Sequence, residues 1–297
     1  MLPFVRMLEY GNTVEYGFSG IFSTVPSSTG YAVPSQNRAF STSSGTKIYT
    51  IGGDDTDSGY IANLVEYDPV LNEYKLIHSA PNTSYPSRPC YNNGYVYILY
   101  FPTTAGKPKL RRVDVSTGES VEMGTVPFDG WCTGFVVGSN TDILYTINKT
   151  TYKLQSYAIS TNQWRVQGTA SFGTYTSDTI LQTDGYIYML GGSVFKRMSS
   201  FGDLVIDLKP PLNHPPFNGF YSSLFRIDDD IYAYSYSILQ KYNIPTDTWV
   251  VVSDATPVLG ALTTNAIACY DPGTKSAYLF YAVVGAAAKG TTIGKIS

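Results

Sequence analysis

Histidine is nearly missing from this chain: 297 residues carry two, His78 and His214. An imidazole metal site needs several rings converging on one pocket, and general acid–base catalysis leans on the same side chain. His78 follows a strand-like run, EYKLIHSAP, and His214 sits in a Pro-rich connection, PPLNHPPF. No spacing brings the two together. Cysteine is scarce as well. Cys90, Cys132 and Cys269 are odd in number, far apart and without a CxxC pair, which argues against a disulfide framework and against a zinc site. Buried reduced thiols are expected. Charge is low, 20 Lys+Arg against 23 Asp+Glu for a net of −3, so the chain carries no electrostatic footprint for nucleic acid or anionic membrane. No apolar run approaches the ~20 residues that span a bilayer, and no membrane insertion is expected. The N-terminus, MLPFVRMLEYGNTVEYG, has no basic start followed by an apolar stretch of ~7–15 residues. The chain is expected to fold in the cytoplasm that made it. No Walker or dinucleotide fingerprint appears, and no Ser, Cys or Thr nucleophile has a histidine that spacing places beside it. No catalytic residue, metal or cofactor is expected, and the chain reads as a non-enzyme.

Tyrosine is what the chain has in plenty, 26 residues, together with 27 Gly and many Ser, Thr and Asn. Six tyrosines recur in short apolar runs: Tyr49 (KIYTIGG), Tyr97 (YVYILYF), Tyr145 (ILYTINK), Tyr188 (YIYMLGG), Tyr232 (DIYAYSY) and Tyr278 (SAYLFYA), spaced by 48, 48, 43, 44 and 46 residues. A period of 40–50 residues across a whole chain is the signature of repeated small β units. A turn precedes each tyrosine: Ser44-Gly45, Asn93-Gly94, Ser139-Asn140, Asp184-Gly185, Asp228-Asp229-Asp230 and Pro272-Gly273. Asn-Gly and Asp-Gly accept positive φ at both central positions, the strongest short hairpin signal. A second hairpin follows, with aromatics seven apart: Tyr67 and Tyr74, Tyr157 and Trp164, Tyr242 and Trp249. In the second and fourth units the corresponding residues are Val113 with Ser120 and Arg197 with Leu204. The six tyrosines and the hairpin aromatics are expected in the core, because facing sheets must be filled and each ring buries roughly 150–250 Å².

A strand ending in Gly-Gly (Gly52-Gly53, Gly191-Gly192), followed by an aromatic, six residues and a Trp or Tyr, is similar to the Kelch repeat over about residues 36–297. The resemblance implies an all-β, six-bladed propeller. After SAYLFYAVV the last unit has sequence for a third strand, TTIGKIS, and no fourth. One of two N-terminal segments, FVRMLEY or GIFSTV, is expected to complete that blade and close the ring, which protects the sheet edges. The chain is therefore read as one propeller domain, residues 1–297. Residues 1–35 hold the closing strand and its connection, and 36–297 the six units. Kelch-like propellers include copper oxidases and sugar mutarotases, but two histidines do not supply a copper set.

Function is expected in the unlike loops between the repeats. Strand alternation places the second-to-third-strand loops and the inter-blade connections at one end of the ring. Candidate partner-binding residues there are Tyr60, Trp131, Tyr175, Phe217, Lys107 and Arg111. Trp131 falls outside the repeat position, in FDGWCTG, and Lys107, Lys109, Arg111 and Arg112 form the one basic cluster. The segment Gly53–Gly59 is acidic but lacks the spacing and distal Glu of a calcium loop. Asn82-Thr83-Ser84 and Asn148-Lys149-Thr150 match the glycosylation sequon, a match that arises by chance in Ser/Thr-rich chains. The opening MLEYGN resembles the beginnings of phage tail proteins. A virion structural or docking protein is expected, contacting other structural proteins of its assembly or a host-surface glycan or receptor. The chain is expected to reside in a virion, with a cytoplasmic location as the alternative. A cellular Kelch-type adaptor and a carbohydrate-binding or carbohydrate-active propeller are the alternatives.

Overall fold

The computed structural model describes residues 22–24, 29–30, 40–52, 54–55, 59–60, 63–79, 84–102, 107–138, 140–173, 179–183, 185–191, 194–212, 223–228, 230–235, 238–254, 267–281 and 292–297. These form six mainly antiparallel sheets, one per repeat unit, with one further two-stranded hairpin, and contain no helix. From the inside outward, the first blade is Phe40–Ser43, Ile48–Ile51, Leu64–Asp68 and Glu73–His78. The second is Cys90–Asn92, Tyr95–Pro102, Lys109–Asp114 and Ser120–Thr125. The third is Val136–Val137, Ile143–Ile147, Leu154–Ala158 and Gln163–Val166. The fourth is Thr179–Thr183, Tyr186–Gly191, Val194–Ser199 and Val205–Leu208. The fifth is Ser223–Ile227, Asp230–Ser235, Ile238–Asn243 and Thr248–Asp254. The sixth runs Ile267–Asp271, Ser276–Tyr281 and Thr292–Ile296, and its outermost strand is Phe22–Thr24. Each innermost strand touches the innermost strand of the next blade, and the sixth touches the first. The ring is a closed six-bladed β-propeller.

Closure uses the second of the two N-terminal candidates. Phe22, Ser23 and Thr24 pair antiparallel with Ile296, Lys295 and Gly294. The alternative segment, residues 4–10, lies outside the described residues. Thr29–Gly30 then adds a fifth strand, parallel, to the outer edge of the first blade. The N-terminal segment thus caps the outer edges of the sixth and first blades in turn.

The recurring tyrosines all lie on second strands, and five of the six are buried, with Tyr145 half-buried. Successive strand residues point to opposite faces, so each blade contributes to two cores, one per seam. Tyr49 packs toward the second blade with Val96, Ile98 and Tyr100. Tyr97 packs toward the third with Phe135 and Leu144, and Tyr278 packs back onto the first with Ile48 and Tyr67. The hairpin aromatics face the preceding seam. Tyr67 pairs with Tyr74, Tyr157 with Trp164, and Tyr242 with Trp249, at centroid distances of 5.0 Å in each case.

One register expectation is corrected. The fourth unit does not pair Arg197 with Leu204: Met198 opposes Val205 and Arg197 opposes Ile206. A one-residue slip exchanges the faces of a strand, and burial decides it. Met198 is fully buried while Leu204 is exposed in the turn.

The left-handed turn residue is a third element of the repeat. Tyr67 donates its hydroxyl to Asn72 Oδ1 at 3.0 Å, Tyr157 to Asn162 Oδ1 at 2.8 Å, and Tyr242 to Asp247 Oδ1 at 2.8 Å. Those three acceptors have φ of 57°, 54° and 50°, a region that Asn and Asp tolerate better than other side chains. The pattern Tyr-x4-Asn/Asp-x-Tyr/Trp is visible in the sequence once the hydrogen bond is known.

Candidate interaction surface

Antiparallel alternation brings the second-to-third-strand loops and the blade-to-blade connections to one end of the ring. Trp131 lies there, in the connection from the second to the third blade. Its backbone is pinned. The Lys149 N–H donates to the Trp131 carbonyl at 2.7 Å, and Thr133 N–H donates to Ile147 O at 2.9 Å. Asn148 Nδ2 donates to Asp129 O at 3.2 Å, while its Oδ1 accepts from the N–H groups of Thr150 and Thr151 at 2.8 and 2.9 Å. Asn148 is buried and holds this corner together, so its sequon match has a structural role. The indole of Trp131 stacks on Phe101 at 4.6 Å and 25°. Phe101 is buried, and Trp131 remains 48% exposed. The result is a rigid aromatic shelf over the seam between the second and third blades.

The basic cluster does not join that shelf as a single patch. Lys107 is exposed at the foot of the second-to-third loop of the same blade. Lys109 pairs with Glu122 at 3.1 Å, both side chains largely exposed, a contact worth little in water. Arg111 lies over the ring of Tyr100 at 5.3 Å, on the strand face opposite Phe101, toward the first blade. Arg112 lies over Tyr95 at 4.4 Å. Alternation along the strand therefore turns Arg111 and Arg112 toward different seams. Tyr60 pairs with Asp54 in a short hairpin, Asp54–Asp55 with Gly59–Tyr60, formed by the acidic loop. Tyr175 and Phe217 lie outside the described residues. Of the six candidates, the structure places Trp131 and Lys107 on one blade end and sets Arg111 apart. Phe101, which makes Trp131 a shelf, was hidden in sequence because YVYILYF reads as uniform core.

His78 also serves the framework. Its Nδ1 contacts Gly118 O at 3.1 Å across the first seam. Burial lowers its pKa below the ordinary imidazole value, helped by the nearby charge of Arg111 against the rise from the Gly118 hydrogen bond.

The axis of the ring holds a cavity of about 270 Å³ lined by all six innermost strands. Its wall carries Ser41, Thr42, Ser43 and Arg88 on the first two blades, and Val136, Leu181, Phe225 and a second cation, Arg226, on the others. Among the described residues the lining includes no imidazole and no carboxylate. Two of its thiols are tuned away from reactivity. Burial raises the Cys90 thiol, and burial pushes Cys269 up to about 12 despite the Arg88 charge and the Ser41 hydroxyl. A thiol in that range is not a thiolate nucleophile at neutral pH. All three cysteines are buried and free. Among the described residues no group of three or more His, Cys, Asp or Glu could hold a metal ion, and no helix is long and apolar enough to cross a membrane.

No protein-family model matches the chain, and no curated protein matches it. The propeller is established by its strand order and ring closure alone, a fold that suits a protein-interaction role in general.

Proposed function

We propose that this propeller is a non-enzymatic docking protein of a virion, a bacteriophage tail component that contacts other structural proteins of its assembly or a host-surface glycan or receptor. Trp131 carries the reading: a half-exposed indole on a hydrogen-bonded backbone, stacked on Phe101 at the loop end. Large aromatics held in place before docking lose little entropy on binding, and such residues dominate interface energetics. Exposed Lys107 on the same blade supplies a cation near the rim. The Tyr-x4-Asn/Asp-x-Tyr/Trp hairpins extend the resemblance to Kelch repeats, and the wealth of tyrosine with a net charge of −3 favours wet, polar contact over acid–base chemistry.

The test is compositional and then mutational. The chain should be present at fixed stoichiometry in purified particles, measured by quantitative mass spectrometry. Trp131→Ala should lower its incorporation or the particles' adsorption to host cells by about tenfold, with an unchanged melting midpoint. Absence of the chain from purified particles would sink the virion reading. Trp131 also favours a glycan as the docked group, because a sugar ring stacks on an exposed aromatic face. A glycan array bound by the wild type and not by Trp131→Ala would select that version. An array with no binder would leave a protein as the partner.

A further inference from the structure

The axial cavity lies apart from the Trp131 shelf and has a chemistry of its own. Opposite the six recurring tyrosines stand Thr42, Cys90, Val136, Leu181, Phe225 and Cys269. They form one belt of the wall, apolar over the third, fourth and fifth blades. Arg226 lies one residue from this belt, toward the turn that ends its strand. Its side chain is exposed, with Nε donating to Asp228 O, so the cavity meets water there. Arg88 lies two residues from the belt on the other side and is buried, at 7% exposure. Strand rise puts the two backbone positions about 10 Å apart along the axis. Gly134 on the third blade makes room for Arg88, since a Cβ there would lie 2.2 Å from Arg88 Cβ. The Arg88 charge acts on the Cys269 thiol of the sixth blade, so the guanidinium reaches inward past the first blade. Beside Cys269, Ser41 Oγ is buried and has no other polar partner among the described residues. Thr42 Oγ1 accepts the Tyr91 N–H at 3.1 Å, which leaves its own O–H to donate.

We propose that the axial cavity binds a small organic monocarboxylate, its carboxylate on Arg88 and the Ser41 and Thr42 hydroxyls and its apolar body against Leu181 and Phe225. The planar fork of a guanidinium matches the two oxygens of a carboxylate. A buried hydroxyl such as Ser41 Oγ is seldom left without a partner, and a carboxylate oxygen supplies one. One negative charge suits one buried guanidinium. A phosphate dianion would bring a second charge against the apolar belt, at a heavy desolvation cost. A volume of about 270 Å³ falls just below the ~300–1,000 Å³ of drug-sized pockets, so the ligand is small. Arg226 at the open end raises the local concentration of anions.

Saturation-transfer NMR on the full chain tests this with benzoate and with benzamide, a neutral probe of the same shape. Benzoate should bind, and benzamide should bind about tenfold more weakly or not at all. Arg88→Gln should weaken benzoate by about tenfold or more, and Ser41→Ala by about threefold. Arg165→Gln, exposed on the third blade's outer strand, should leave the affinity unchanged. Circular dichroism melts establish that the variants fold. Arg88→Lys, which keeps the charge and loses the fork, replaces Arg88→Gln if that variant does not, and it too should weaken benzoate. No benzoate binding up to about 10 mM, equal binding of benzamide, or affinity indifferent to the Arg88 and Ser41 substitutions would each overturn the proposal. Displacement of benzoate by an equal concentration of inorganic phosphate would overturn it as well, leaving a site for inorganic anions.

Discussion

Two blades lack the tyrosine that ties down the outer turn, and a glycine in that turn takes the left-handed conformation instead. Val113 and Met198 stand where Tyr67, Tyr157 and Tyr242 stand elsewhere. In those blades the left-handed residues are Gly118 (φ 76°) and Gly202 (φ 74°). The preceding blade's backbone closes into the space a side chain would fill. A Cβ would lie 2.4 Å from Ile77 O at Gly118 and 2.1 Å from Gln167 O at Gly202. Gly94 has φ of 85° in an open hairpin turn, with nothing within 4 Å of its Cβ position. Gly94→Ala should therefore cost about 1 kcal/mol, the conformational penalty alone. Gly118→Ala and Gly202→Ala should cost clearly more, because backbone carbonyls must also move. Urea unfolding of the three variants separates conformation from contact, and equal losses at all three would refute the close-packing account.

At the scale of the strand, the closing segment does more than its length suggests. Ile296 is fully buried and pairs with Ala277 on one side and Phe22 on the other. Deleting residues 1–24 removes Phe22–Thr24 and opens the outer side of that strand. A loss of about 3 kcal/mol is expected from exposing one such side chain, roughly 5 °C in melting midpoint for a chain of this size. Calorimetry that finds no change would mean that the sixth blade closes without this strand. The strand was legible in sequence because TTIGKIS left a blade one strand short. Likewise the hairpin turns were legible because Asn-Gly and Asp-Gly act locally. The Met198 register was not legible, since Arg197 and Met198 are adjacent and only burial in the seam with the preceding blade chooses between them. Arg111 and Arg112 looked like one patch because linear adjacency conceals that successive strand residues take opposite faces. The Trp131 shelf depended on Phe101, which is 30 residues away in sequence and brought alongside only by the fold.

Across the whole ring, the seams differ in kind. The paired aromatics of the first, third and fifth blades fill the seams they share with the sixth, second and fourth. The seam between the third and fourth blades is built from Ile147, Leu154, Ile180, Ile187 and two methionines. The stability of the propeller leans on buried phenols. Burial is the first cause of the raised pKa at Tyr49, Tyr67, Tyr74 and Tyr100, and it pushes Tyr157 up to about 12 from 10.0. The sign follows from which state ionises first. Below about pH 10 the phenols are neutral in both folded and unfolded chains, and their burial contributes in full. Above it the unfolded chain sheds protons that the folded chain retains, so stability falls. Each fully buried phenol adds up to about 1.4 kcal/mol of loss per pH unit until its folded pKa is reached. Several phenols acting together should make alkaline unfolding steep. Phenolate absorbance should rise first for exposed tyrosines near pH 10, then in one cooperative step that coincides with loss of the β-sheet circular dichroism signal. A smooth titration of all 26 tyrosines with the sheet signal intact would show that the seams admit water and that aromatic burial does not hold the ring closed.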